Sequence, residues 1–272
     1  MQPLEATAMI RRLVGLALAI QALDTTLALR RILAPDVLRT PFFDGMPLMP
    51  SSLLLPFAFA WVAAAAALAL GYRTRLASVV LVTVVGYALL LDQQSYANHI
   101  YLQILIVLIL LLPADLAVRA LRWQMTVVYL FGAISKINVV FISGALLAAN
   151  LRHGWLLPFP DSLARPAVLM PVAAGAILAD AFLAYGFWKP RYRAAAAVFG
   201  LLFHTAIILT FPASSLIGLV VFALTMWALY YAFLDPVEVW KRAATRLAVS
   251  IRQRLGRGTP PPATALDSGQ YP

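Results

Sequence analysis

Residues 129–154 read YLFGAISKINVVFISGALLAANLRHG and place a lysine, Lys136, inside a segment that is otherwise largely apolar. A lysine at the depth of a lipid bilayer costs roughly 2.5–3.5 kcal/mol on insertion scales, so it normally faces a protein interior or a cavity. Lys136 is therefore a candidate functional residue. The rest of the chain is predicted to form the helices that enclose it.

The composition of the chain is typical of an integral membrane protein. Of its 272 residues, 62% are hydrophobic and 12% are charged, and the mean hydropathy is +0.86. Short charged or proline-containing breaks separate apolar runs of about 18–23 residues, and each run is long enough to cross about 30 Å of hydrocarbon as a helix. Because the runs are continuous rather than alternating, they predict an all-α membrane protein.

The sequence predicts about eight transmembrane helices. Their approximate bounds in chain order are 10–29, 53–70, 76–91, 100–116, 123–142, 167–188, 194–211 and 215–234. Most of the 21 Lys and Arg residues lie in the loops and tail that share a side with both termini. The positive-inside rule then predicts that both termini are cytoplasmic, as in a bacterial-type inner (plasma) membrane.

The chain is expected to consist of one transmembrane domain, residues 1–235, and a short C-terminal extension. In residues 236–255, apolar residues such as Trp240 and Leu247 share one helical face and basic residues occupy the other, which predicts an amphipathic helix at the membrane interface. Residues 256–272 are rich in proline and small residues and are expected to be disordered.

Charge and cysteine content exclude several classes of function. The net charge is +10, but the basic residues are spread between the spans, which favours contact with anionic lipid rather than nucleic acid. The chain contains no cysteine, so disulfides and thiolate nucleophiles are excluded. The three histidines form no H-x-x-x-H or E-x-x-H pair, and we therefore expect no metal site.

Several polar residues lie at membrane depth or at the outer ends of the predicted spans, where we expect them to line one outward-opening cavity. They are Asp24 in the first span, Asp92, Asn98 and His99 between the third and fourth, Lys136 in the fifth, Arg152 and His153 after it, Asp180 in the sixth, and His204 in the seventh.

For each of these groups a structural role is the alternative to a functional one. Desolvation disfavours the ammonium form of Lys136 and would make it a general base near neutral pH, whereas an ion pair with Asp180 or Asp24 would hold the proton. A hydrogen bond between helices is the favoured role of His204. His99 follows Asn98 closely enough for simple helix capping.

Five segments, in this order, carry a family resemblance: DQQSYANHIYL from residue 92, YLFGAISKINVVFISG from 129, LRHGW from 151, GAILAD from 175 and GLLFHT from 200. Together they resemble the transmembrane part of vitamin K-dependent gamma-glutamyl carboxylase and the wider group of HTTM (horizontally transferred transmembrane) proteins. The resemblance implies that a membrane lysine deprotonates a hydroquinone, which reacts with dioxygen. The resulting strong base removes a proton from a glutamate, carbon dioxide is added there, and quinone epoxide is left.

Carried onto this chain, the resemblance gives Lys136 and His99 catalytic roles. Asn98 and His99 match the N-H-x-Y motif, and Arg152 matches an arginine that holds the substrate carboxylate, a contact for which the guanidinium is suited. Asp92 is expected to bind substrate beside them. The wall of the cavity is expected to include His204, Asp180, Asp24 and His153.

Departures from the family pattern affect the expected substrate. The usual acidic residue two positions after the lysine is Asn138, the usual tryptophan is Phe141, and the large lumenal portion that recruits a protein substrate is missing. We therefore expect a small-molecule or short peptide substrate.

An enzyme is the favoured function. It would use a vitamin K or menaquinol-type hydroquinone as cofactor, with dioxygen and carbon dioxide as co-substrates and no metal. A transporter with a polar intramembrane path, or an export or scaffold partner of another membrane protein, is the alternative.

Overall fold

The computed structural model describes residues 3–34, 37, 40–43, 45–93, 96–157 and 160–234. Its helices are α1 (Pro3–Ile32), α2 (Leu54–Leu70), α3 (Thr74–Leu91), α4 (Asn98–Ile109), α5 (Ala114–Ser135), α6 (Val139–Ile142), α7 (Ala145–Leu151), α8 (Pro166–Gly186), α9 (Arg193–Thr210) and α10 (Leu216–Tyr230). They belong to one compact unit, Met1–Leu234. The predicted interfacial helix at 236–255 and the tail at 256–272 lie outside the described residues.

Six of the described helices are long and apolar enough to cross a membrane, namely α1, α2 with the 3-10 turn before it, α3, α8, α9, and α10 with the 3-10 turn before it. The described part of the chain is therefore helical, without strands, and the protein is an integral membrane protein, as its composition predicts. The predicted number of eight spans is not confirmed, because the fourth and fifth predicted spans differ from the helices found there.

The fourth predicted span, 100–116, is shorter in the structure. Helix α4 has 12 residues and ends at Ile109, so it is only about 18 Å long. Pro113, which lies within this predicted span, is the N-cap residue of α5. Helix α5 then includes Asp115, Arg119 and Arg122 in its first half, and it is not among the six helices that are apolar enough to cross a membrane.

The fifth predicted span, 123–142, is interrupted at its candidate lysine. Helix α5 ends at Ser135, and Lys136 is its C-cap residue. The side chain of Asn138 accepts a hydrogen bond from the backbone N–H of Phe141 at 2.9 Å and starts the short helix α6. Because an Asn at this position satisfies a free N–H at a helix start, it favours a new helix over continuation of the old one. Lys136 therefore lies at a helix end rather than inside a span.

Helix α1 lies at the centre of the bundle. It has 30 residues and packs against α2, α4, α5 and α10. The contact with α2 is close because Gly15 has no side chain. A Cβ atom at Gly15 would lie 2.7 Å from the carbonyl oxygen of Ala65 and 2.8 Å from Cβ of Ala69. Small residues that allow two helix backbones to approach are the usual basis of helix packing in membranes.

A glycine-to-alanine substitution should therefore affect stability differently at Gly15, which touches α2, and at Gly86, which does not. Gly15→Ala should lower the free energy of unfolding by about 1–3 kcal/mol, because the new methyl group overlaps α2. Gly86→Ala, in the interior of α3, should leave stability unchanged or raise it by up to about 1 kcal/mol, since a Cβ there meets no atom within 4 Å. Thermal unfolding in detergent measures both. Equal melting temperatures for the two variants would contradict the close α1–α2 packing.

A second, smaller hydrophobic cluster packs the interrupted segment against α8. Phe141, Leu147 and Leu151 contact Leu169 and Ala173 there. The turn between α6 and α7 depends on Gly144, which has a φ of 77°. A side chain at Gly144 would also overlap the backbone of α8 at Pro166. This packing holds the chain that follows Lys136 against the helix that contains Asp180.

Candidate active site

Lys136 forms an ion pair with Asp180. Its Nζ atom donates a hydrogen bond to Oδ2 of Asp180 at 2.6 Å and another to the carbonyl oxygen of Gly132 at 3.1 Å. The side chain of Asp180 is 6% exposed and that of Lys136 is 28% exposed. Gly132 makes room for the pair, because a Cβ atom there would lie 3.1 Å from Oδ2 of Asp180. The structural alternative considered for Lys136 is thus the arrangement found.

Of the two alternatives left open for Lys136, a general base beside a cavity and an ion pair, the structure contains the ion pair. A carboxylate at hydrogen-bond distance stabilises the ammonium ion and opposes the effect of desolvation on Lys136. For Lys136 to accept a proton, the pair must open or the proton must first pass to Asp180. The ion pair therefore joins the end of α5 to Asp180 on α8.

His204 belongs to a buried hydrogen-bond cluster that joins three helices. The hydroxyl of Tyr129 on α5 lies 3.0 Å from Nε2 of His204 on α9 and 2.6 Å from the hydroxyl of Tyr230 on α10. The helix-to-helix hydrogen bond favoured for His204 is therefore present. Gly200 on α9 leaves the space that the hydroxyl group of Tyr230 occupies. This cluster fixes the relative positions of the three helices.

The ion pair and the tyrosine–histidine cluster lie within electrostatic range of each other. Tyr129 is on α5, seven residues before Lys136, so the cluster and the ion pair are about two helical turns apart. Lys136 and Asp180 thus form one polar region with the three hydrogen-bonded side chains. Lys136, Asp180 and His204 were selected from the sequence as polar residues at membrane depth, and the structure brings these three into one region.

A cavity of about 430 Å³ lies on another part of the bundle. Its wall is formed by Asp24, Asn98, His99, Ser214, Ser215, Gly218, Leu219 and Phe222. The volume is within the range of about 300–1,000 Å³ that is usual for small-molecule sites. Three of the predicted site residues, Asp24, Asn98 and His99, therefore meet at one cavity, and Lys136 is not part of its wall.

His99 is held by a hydrogen bond from another helix rather than acting as a cap. Its Nε2 atom lies 3.0 Å from Oε1 of Gln21 on α1. The amide nitrogen of Gln21 donates to Oγ1 of Thr25 at 2.9 Å and lies 3.5 Å from Oδ2 of Asp24. The N-cap residue of α4 is Ala97, which makes no side-chain capping bond. The capping alternative for His99 is therefore wrong in this structure.

Phe222 connects the cavity to the polar region around His204. It lines the cavity, and its ring centroid is 5.4 Å from that of His204 in an edge-to-face arrangement. The two polar sites are thus separate but neighbouring. The single cavity predicted for all of the polar residues is replaced by one cavity at His99 and one buried polar region at Lys136.

The remaining predicted site residues lie elsewhere. Asp92 is buried and accepts hydrogen bonds from the backbone N–H and hydroxyl of Thr40, at 3.1 and 3.3 Å. Nε of Arg152 lies 3.8 Å from Oδ1 of Asp161, and both side chains are exposed. His153 is also exposed. Asp92 thus anchors the loop after α1, and the cavity wall does not include Arg152 or His153.

One glutamine and two tyrosines that belong to these sites were missed in the sequence. Gln21 is a polar residue in an apolar span, within one turn of Asp24, so the criterion that selected Asp24 would also have selected it. Tyr129 and Tyr230 gave no such signal, since tyrosines are common near the ends of spans. Within the described ranges, no group of three or more His, Cys, Asp or Glu side chains is placed to hold a metal ion.

Comparison with known proteins gave one match. Neither the curated proteins nor the solved structures contain a significant match to the chain. The family model of the HTTM domain matches residues 2–119, which include Asp24, Asp92, Asn98 and His99 and end before Lys136. This match covers less than half of the chain, namely α1 to α4 and the first residues of α5, and it agrees with the resemblance seen in the sequence.

Proposed function

We propose that this protein is a membrane enzyme that binds a hydroquinone of the vitamin K or menaquinol type and oxidises it with dioxygen. One observation supports this proposal above the others. Asn98 and His99, to which the family resemblance assigns the site, lie side by side in the wall of a cavity of ligand size. Both also fall within the part of the chain that matches the HTTM domain.

The residues of the cavity fit the head group of such a lipid. A hydroquinone has two hydroxyl groups at opposite ends of an apolar aromatic ring. Asp24, Asn98 and His99 offer hydrogen-bond partners for the hydroxyl groups, and Ser214 and Ser215 add two more. Leu219 and Phe222 offer apolar surface for the ring. Convergent polar groups in a partly apolar pocket are typical of sites for small ligands.

When it is bound, the hydroquinone supplies the oxidation chemistry, since one hydroquinone and one dioxygen give one quinone epoxide and one water. In the vitamin K-dependent carboxylase, that conversion drives the addition of carbon dioxide at a glutamate. The residues of this chain bind the head group, exclude water and move protons. His99 lies on the cavity wall and is placed to accept a phenolic proton. Lys136 takes part as a base when its ion pair with Asp180 opens.

We further propose that the site faces the outer side of a bacterial-type plasma membrane, with both termini in the cytoplasm. The cavity lies at the first turns of α4 and α10 and in the second half of α1. The distribution of basic residues assigns these helix ends to the outer side. The co-substrate is a small molecule or short peptide, with carbon dioxide as the group transferred.

The test is oxygen consumption by the purified protein in lipid nanodiscs supplied with a reduced menaquinone. We expect oxygen uptake above that of empty nanodiscs, and quinone epoxide detectable by mass spectrometry in a one-to-one ratio to the oxygen consumed. Oxygen uptake equal to that of empty nanodiscs would contradict the proposal.

A transporter is the second candidate, and the break between helices α5 and α6 at Lys136 favours it. Helix α5 ends beside a buried ion pair and is followed by two short helices, α6 and α7, that pack on α8. Broken helices beside polar groups at membrane depth are typical of substrate sites in transporters. Uptake of a solute into proteoliposomes without oxygen consumption would support a transporter over the enzyme.

A further inference from the structure

Gln21 is a buried residue whose side chain makes a defined contact with His99. It is 1% exposed, on the face of α1 that packs against the other helices. Its amide oxygen lies 3.0 Å from Nε2 of His99, and its amide nitrogen donates to Thr25 at 2.9 Å. Thr25 is also buried. A threonine hydroxyl can accept or donate, so the orientation of the amide depends on Asp24, whose acceptor atom Oδ2 lies 3.5 Å from the amide nitrogen.

These contacts determine which nitrogen of His99 holds the proton. An amide oxygen can only accept a hydrogen bond, so Nε2 of His99 must donate to Gln21. A neutral imidazole has one protonated nitrogen, and its other nitrogen, Nδ1, then has a free lone pair. The imidazole ring faces α10, where a Cβ atom at Gly218 would lie 3.2 Å from Cε1 and 3.9 Å from Nδ1. Gly218 is itself part of the cavity wall.

We infer that Gln21 is a positioning residue that fixes His99 in the tautomer protonated on Nε2, so that the cavity favours head groups that donate hydrogen bonds. Nδ1 of His99 is then an acceptor, and the side-chain oxygens of Asp24 are further acceptors. A hydroquinone donates two O–H groups, whereas the oxidised quinone has only carbonyl acceptors. Asn98, Ser214 and Ser215 can bind either form of the lipid, so the preference for the reduced lipid comes from His99 and Asp24, a consequence that rests on the proposed function.

The tautomer is tested without any ligand, by NMR of the full chain labelled with ¹⁵N-histidine at a pH where His99 is neutral. The matched variants are Gln21→Glu, which keeps an acceptor oxygen, and Gln21→Met, which is similar in size but lacks both the amide oxygen and the amide N–H. We expect the Nε2-protonated form in the wild type and in Gln21→Glu, and a mixture of both tautomers in Gln21→Met. A His99→Asn variant identifies the signal, since His153 and His204 remain.

An Nδ1-protonated His99 in the wild type, or an unchanged tautomer in Gln21→Met, would overturn the positioning role. Melting temperatures of both variants show whether each is folded. If Gln21→Met fails to fold, Thr25→Val still decides. Thr25→Val removes the hydroxyl that accepts a hydrogen bond from the amide nitrogen, and it should loosen the preference for one tautomer in the same direction.

Selection of the reduced lipid is tested by anaerobic binding of a short-chain menaquinone, its hydroquinone and the dimethyl ether of that hydroquinone. We expect the hydroquinone to bind at least about tenfold more tightly than the other two, with this preference reduced in Gln21→Met. Equal affinities, or no binding by any of the three, would overturn the selection. An Nε2-protonated His99 without ligand binding would leave the positioning role intact and count against the proposed function.

Discussion

Replacing His99 with alanine is expected to lower the rate of dioxygen-dependent hydroquinone oxidation at least about 100-fold, the usual contribution of a positioned acid or base. His99 is the imidazole on the cavity wall, where Asp24 and Asn98 are its neighbours. The rate is measured with an oxygen electrode, with quinone epoxide quantified in parallel. The stability cost should be about 1–3 kcal/mol, because the amide oxygen of Gln21 loses its partner.

His153→Ala is the matched control for this prediction. His153 is exposed and lies outside the cavity wall, so its replacement should leave the rate within about twofold of the wild type. A His99→Ala protein that is folded and fully active would show that the cavity is not the site of the reaction. Loss of activity in His153→Ala alone would point to the loop after α7 instead.

Removing either partner of the Lys136–Asp180 pair is expected to lower the free energy of unfolding by about 1–3 kcal/mol. This lies between the values for an exposed pair and a fully buried pair, since Lys136 is partly exposed and Asp180 is buried. The variants are Lys136→Met, Asp180→Leu and the double substitution. The double variant should recover most of the stability, because neither charge is then left without its partner. Thermal unfolding of the wild type and the three variants measures this double-mutant cycle.

Activity in the same four proteins separates a structural ion pair from a functional lysine. If Lys136 accepts a proton in the reaction, Lys136→Met and the double variant should both lose at least about 100-fold in rate, although the double variant is stable again. If the pair only joins α5 to α8, the rate should follow stability and return in the double variant. Lys189→Met, at an exposed position in the turn before α9, controls for the general effect of removing a lysine.

The membrane class and most of the helices could be predicted from the chain itself, because a continuous apolar run of sufficient length has only one stable form in lipid. The predicted bounds of the second, third, sixth and seventh spans agree with α2, α3, α8 and α9 to within a few residues. The predictions failed where local signals compete with hydropathy. Asn138 starts a new helix directly after Lys136, and the chain between Ile109 and Pro113 ends α4 early.

The candidate site was predictable as a set of residues and not as an arrangement. Asp24, Asn98, His99, Lys136, Asp180 and His204 stand out because polar groups at membrane depth are costly and rare. Their division into a cavity at His99 and an ion pair at Lys136 was not apparent in the sequence. Gln21, which holds His99, was overlooked although it met the same criterion.

The sequence by itself determined that the chain is a bundle of membrane helices and which polar side chains lie at membrane depth within it. Only the tertiary structure decided which of these side chains meet: Lys136 with Asp180, His99 with Gln21, and His204 with Tyr129. The physical reason is that a helix that is apolar on all sides has no amphipathic face to indicate which side is turned inward. That rotation is set by close packing between helices, such as the contact of Gly15 with α2, and it depends on residues far apart in the chain.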